Sequence, residues 1–122
     1  MALFADNPSI PVERTEVRRV AAEIHLALGA PETALALMTE AMNIIGATPF
    51  MPERNFHTAA RILTALGRPA EAEEQLRHAY QRVLFVAGRI PDPALQRSWL
   101  ENVRMNREIV AEWEAVNARN QG

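Results

Sequence analysis

The chain has 122 residues, 48% of them hydrophobic and 23% charged, which is the composition of one globular domain rather than of a disordered chain. A formal net charge of −2 and a pI near 5.9 speak against nucleic-acid binding, which calls for a basic excess or stripe. The absence of cysteine excludes disulfides, cysteine-ligated metal centres and thiol nucleophiles, and no apolar run approaches the roughly 20 residues that span a bilayer.

Met1–Pro11 reads as an irregular leader, with turn chemistry at Asp6-Asn7-Pro8-Ser9. It lacks the basic region and apolar core of a signal peptide, so the expected location is the cytoplasm, with no membrane contact. From Val12 to Leu28 the residues Val17, Val20, Ala21, Ile24 and Leu28 recur at helical spacing, and this stripe is expected to face the core. Gly29 then ends the helix as a left-handed cap. Pro31 opens a second helix, where a missing N–H costs nothing, and Glu32 suits the positive end of its dipole. Its apolar face is Ala34, Leu35, Leu37, Met38, Ala41, Met42 and Ile45. Gly46–Pro52 is expected to be a loop, with Phe50 or Met51 tucked against the core.

Glu53–Leu66 forms the third expected helix, with Phe56, Ala59, Ala60, Ile62, Leu63 and Leu66 inward. Gly67 closes it and Pro69 opens a fourth that runs to about Ala87, carrying Ala72, Leu76, Ala79, Tyr80, Val83 and Ala87 on one stripe. Arg89–Pro93 is a break marked by two prolines. A short helix over Ala94–Asn102 and a final one over Met105–Ala118 follow, either separate or as one bent helix, with Ile109, Val110, Trp113 and Val116 inward. No segment shows the period-2 alternation of a strand. The expected fold is all-α, with five to six helices in antiparallel hairpins.

A duplication organises the chain. Ala21–Pro31 aligns with Ala59–Pro69, and Ala22, Gly29, Ala34 and Ala41 match Ala60, Gly67, Ala72 and Ala79, so the period is 67 − 29 = 38. The units run over 12–46 and 53–88, with capping helices over 92–118. Two helices joined by a short Gly-x-Pro turn must lie antiparallel, and the matched alanines let them approach closely. A hairpin of this kind leaves an apolar face uncovered, so hairpins stack.

These small and large positions resemble the tetratricopeptide repeat, a unit of about 34 residues, with roughly four extra residues here in the inter-unit loop. The chain departs from that pattern in having Arg18 where an aromatic is usual, although Phe56 supplies it in the second unit. The stretch Ile90–Val103 with Asn106–Ile109 looks like the close of the repeat region in large bacterial ATPase and LuxR-type regulators. The chain's 13 positive residues are all arginine, a habit of GC-rich bacterial coding. The resemblance implies a protein-interaction module that holds a peptide or partner domain in the concave groove. Its rival is a terminal segment of a larger regulator that packs on its parent or self-associates.

No catalytic, cofactor or metal site is expected. The histidines His25, His57 and His78 show no ligand spacing, no nucleophile motif occurs, and the glycines never cluster. By the repeat alignment, Glu16, Arg19, Glu23 and Leu26 of the first unit point outward on the groove side, with Arg54, His57, Arg61 and Thr64 in the second. Of these, Arg19, Glu23, Arg54, His57 and Arg61 are the expected partner-binding set, suited to a protein or peptide with acidic character. Trp99 and Trp113 are expected in the core, and exposed ends of a short array suggest a homodimer.

Overall fold

A computed structural model describes residues 10–45 and 52–121. The leader residues 1–9 and the inter-unit residues 46–51, including Gly46, Phe50 and Met51 and the extra length assigned to that loop, lie outside the described residues.

Six helices follow in order: α1 (Ile10–Ala27), α2 (Pro31–Ile45), α3 (Pro52–Ala65), α4 (Pro69–Arg89), α5 (Pro93–Glu101) and α6 (Arg104–Gln121). The described residues are all-α and include no strand. Helices α1 and α2 pack along their length, as do α3 and α4, and the two pairs meet chiefly through α2 and α3. The last two helices are separate elements rather than one bent helix, and both rest on α4.

The two hairpin turns are copies at the level of single hydrogen bonds. Gly29 donates its N–H to Leu26 O at 3.1 Å and Ala30 donates to His25 O at 2.8 Å; 38 residues later Gly67 donates to Thr64 O at 3.1 Å and Arg68 to Leu63 O at 3.0 Å. This is the Schellman arrangement, which needs a left-handed residue just past the helix end. Gly29 and Gly67 meet that need with φ of +83° and +72°. The next helix starts at once, because Pro31 and Pro69 take the first helical position. Farther on, Asp92 caps α5 by accepting the N–H of Ala94 at 2.8 Å.

One buried cluster, Ala22, Ala34, Met38, Ala41 and Ile62, joins the first hairpin to α3. A second, Ala60, Leu76, Ala79, Val83 and Ile109, joins the second hairpin to α6. The alanines act as expected: Ala22, Ala34, Ala41 and Ala79 are fully buried, and with no side chain beyond Cβ they set the close approach of the helices. Both tryptophans are half-buried. The Trp99 indole donates Nε1–H to Val83 O at 3.1 Å, and Trp113 stacks on Tyr80 with ring centroids 5.6 Å apart.

The first helix departs from the sequence reading. Val17, Val20, Ile24 and Leu28 are exposed, between 44% and 75%, and the inward residues are Thr15, Arg19 and Ala22. No described element packs on the valine side, whereas the small-residue side fits closely against α2 and α3. Periodicity located the stripe correctly and gave the wrong direction for it, because a stripe is buried only where a neighbour covers it.

Candidate functional site

Of the five expected partner-binding residues, Arg19 and Arg61 both meet Glu23, Arg54 approaches Glu16, and His57 pairs instead with Glu112. Arg19 sits in α1 between two carboxylates one turn away on either side. Its Nε donates to Glu16 Oε1 at 3.1 Å and its Nη2 to Glu16 Oε2 at 2.9 Å, while Nη1 donates to Glu23 Oε2 at 2.9 Å. A fork held on both sides in this way is a fixed element rather than a mobile surface charge. Helix α3 adds to it. Arg54 Nη1 lies 3.9 Å from Glu16, Arg61 Nη1 lies 3.8 Å from Glu23, and the Thr58 hydroxyl donates to Glu23 Oε1 at 3.1 Å.

The charges respond as this geometry requires. Hydrogen bonds from Arg19 lower the Glu16 pKa, against an opposing effect of burial, with the charges of Arg19 and Arg54 adding to the lowering. Burial pulls the Arg19 pKa down, and the hydrogen bonds and charges of Glu16 and Glu23 together outweigh it, so the net shift is upward. Both groups are held more firmly in their charged forms than in water.

His57, expected to point outward, is buried, with Nε2 2.5 Å from Oε2 of Glu112 on α6. Arg19, expected outward as well, is also buried. The reason is geometric in both cases. The side of α1 that carries Arg19 turns toward α3, and α6 extends far enough to lie over His57.

Beside this network the fold opens a cleft of about 550 Å³ between α3, α4 and α6. Leu26 from α1, Ala60 and Ala65 from α3, Pro69, Ala72 and Leu76 from α4 and Val116 from α6 give it an apolar lining. Arg61, Thr64, Glu73, Glu112 and Arg119 supply its polar groups. Of the outward positions read from the repeat, Leu26, Arg61 and Thr64 therefore line the cleft. Arg19, Glu23, Arg54 and His57 are not among its lining residues.

The polar groups of the cleft differ in how far they are already engaged. Glu112 is held by His57, and Glu73 accepts a hydrogen bond from Asn120 Nδ2 at 2.7 Å. Arg61 has only its loose approach to Glu23, and Arg119 makes no hydrogen bond or ion pair among the described residues. The lining thus carries two carboxylates, each accepting one hydrogen bond, and two guanidiniums without a close partner.

The α6 contribution, Glu112, Val116 and Arg119, was not anticipated as part of a site. The pairing of Tyr80 with Trp113 and of Glu73 with Asn120 shows that α6 runs antiparallel to α4. Neither pair could be chosen from the sequence without knowing that α5 leaves α6 free to double back.

Among the described residues no group of three His, Asp or Glu side chains is placed to hold a metal ion, and no helix is long and apolar enough to cross a membrane. Comparison with protein-family models, with curated proteins and with solved structures yields no match. The site's own geometry therefore carries the functional argument.

Proposed function

We propose that this chain is a protein-interaction module of the tetratricopeptide type, which seats a short peptide segment with an apolar side chain and an adjacent carboxylate in the cleft between α3, α4 and α6. The observation that carries this reading is the cleft itself: an apolar lining beside two guanidiniums, Arg61 with only a loose ion pair and Arg119 with no close partner among the described residues. Its volume falls within the roughly 300–1,000 Å³ typical of pockets that enclose small ligands. Apolar contact gives such a site its affinity and the guanidinium forks give it direction, since a carboxylate can be held bidentately by arginine.

The matched hairpin turns and the buried alanines support the repeat reading of the fold. Arg54, Thr58 and Arg61 of α3 meet Glu16 and Glu23 of α1, and His57 of α3 meets Glu112 of α6, so the elements around the cleft are tied together before any partner arrives, which lowers the entropic cost of binding. A second reading, self-association without a separate ligand, is favoured by the apolar stripe left open on α1.

The test is fluorescence anisotropy with a panel of short labelled peptides of the form apolar–acidic, against counterparts in which the acids are replaced by lysines. The acidic members bind the wild-type chain and the basic ones do not. The double variant Arg61→Glu/Arg119→Glu, with helicity checked by circular dichroism, weakens binding by about tenfold or more. Equal binding of both peptide classes, or indifference to the double reversal, overturns the proposal.

A further inference from the structure

The duplication sets three positions of α1 against three of α3: adding 38 to Glu16, Arg19 and Glu23 gives Arg54, His57 and Arg61. The flanking charges are reversed between the two sets. In α1 the central Arg19 is met by carboxylates of its own helix, Glu16 and Glu23. In α3 those two places hold arginines, which approach the same glutamates of α1 at 3.9 and 3.8 Å. Glu53, also one turn from His57, is turned to Arg82. The carboxylate that meets the buried His57 ring therefore comes from another element, as Glu112 of α6 at 2.5 Å.

Around Glu112, α6 carries the pattern of a helix laid in a groove. Ile109, Glu112, Trp113 and Val116 stand at i, i+3, i+4 and i+7, so they share one face. Ile109 enters the cluster of Ala60, Leu76, Ala79 and Val83, Trp113 and Val116 pack against that cluster, and Glu112 takes His57. The grip is uneven along the helix. Its start is locked, with Asn106 and Ile109 fully buried and Asn106 Nδ2 donating to Trp99 O at 3.0 Å. From Val110 to Gln121 every residue is half-buried or exposed. Among the described residues, the polar ties of that stretch to the second hairpin are those of Glu112 to His57 and of Asn120 to Glu73. Helix α4, on which it rests, buries residues along its whole length from Ala72 to Ala87. A segment with few buried contacts opens at a lower free energy than the element that carries it.

We propose that α6 beyond Ile109 is a releasable occupant of a helix-binding groove on α3 and α4, and that it holds this groove closed to a partner helix of the same chemistry. That partner is an amphipathic helix whose carboxylate reaches His57 while its apolar side chains, one turn away, replace Trp113 and Val116. The covalent link favours α6 over any free competitor, because a tethered segment acts at an effective concentration on the order of millimolar. A partner prevails where the contacts of α6 are weakened or its own are stronger. The inference goes beyond the cleft reading, since the cleft is the space that α6 leaves open and this site is the space that α6 fills.

Fluorescence anisotropy of the full chain with a labelled peptide of the α6 sequence, Arg104–Gln121, tests it. Two variants loosen the chain's own α6: Glu112→Arg, at an exposed position, and Trp113→Ala, at a half-buried one, with circular dichroism to check that the hairpins stay folded. The wild-type peptide binds each variant chain at least about tenfold more tightly than it binds the wild-type chain. A peptide that itself carries Glu112→Arg binds the loosened chains at least about tenfold more weakly than the wild-type peptide does. Equal affinity of wild-type and variant chains for the wild-type peptide, or binding to none of them, overturns the proposal. Equal binding of the two peptides overturns the recognition of a carboxylate by His57. The short peptides that probe the cleft give a separate result, so either site can fail while the other stands.

Discussion

Ile24 and Ile62 are the same residue at the same position of two successive hairpins, and their surroundings are opposite: Ile24 is 53% exposed and Ile62 is completely buried. What separates them is the presence of a preceding hairpin, since Met38 and Ala41 cover Ile62 and no described element covers Ile24. The contrast gives a matched pair of substitutions. Ile62→Ala empties space in a closed cluster and is expected to cost about 2–5 kcal/mol. Ile24→Ala in the monomer removes only partly buried methyl groups, with an expected cost within about 0.5 kcal/mol. Urea unfolding followed by circular dichroism, at a concentration where the chain is monomeric, measures both, and equal costs would contradict the burial difference.

Gly67 supports a prediction in which packing plays no part. A Cβ added there meets no heavy atom within 4 Å, yet φ is +72°. Gly67→Ala is therefore expected to destabilise by about 1–2 kcal/mol through backbone strain alone. Gly67→Asn should recover part of that loss, because asparagine tolerates the left-handed region better. Thermal midpoints of the two variants check the order. An alanine variant as stable as the asparagine one would rule out the backbone explanation.

Glu16 links the ion-pair network to pH. Its folded pKa lies below the ordinary carboxylate value, chiefly because Arg19 donates to it. A lowered folded pKa means that the stabilisation is present in full above the unfolded pKa and is lost as the pH falls through the folded one. Glu16→Gln is thus expected to lower stability at neutral pH by about 1 kcal/mol or less, since the carboxylate is only partly shielded from water. In acid below the carboxylate range the difference from wild type should vanish. Urea midpoints at neutral and acid pH read the change directly, and a gap that persists in acid would show that Glu16 acts through packing instead.

The helix ends were legible in sequence because their causes lie within a few residues. A left-handed glycine, a proline that fits only a first turn and apolar residues recurring every three to four positions operate over one or two turns of chain. Hence α2 matched its expected span, and α3 and α5 were each displaced by a single residue. The period of 38 was equally readable, and the two sets of turn hydrogen bonds now show it at atomic level.

The functional surface was read less completely. The alignment placed Leu26, Arg61 and Thr64 on the side where the cleft opens, because all three lie on the first helices of their units. It also turned Arg19 and His57 outward, although Glu16 and Glu23 hold the first and Glu112 holds the second. Glu16 and Glu23 stand three and four residues from Arg19, so that clasp had a local signal. The partner of His57 is 55 residues away and had none.

By itself, then, the sequence determined five to six helices, two matched hairpins and the alanine contacts within them, since each depends on local backbone geometry and on residues too small to keep helices apart. Only the tertiary structure decided which side of α1 is inward and where a partner could sit. Hydrophobicity states which side chains leave water at a gain, and a helix such as α1 offers two faces that could pack. The choice fell to the side with Thr15 and Ala22, where α2 and α3 approach most closely, and it left Val17, Val20 and Ile24 facing out.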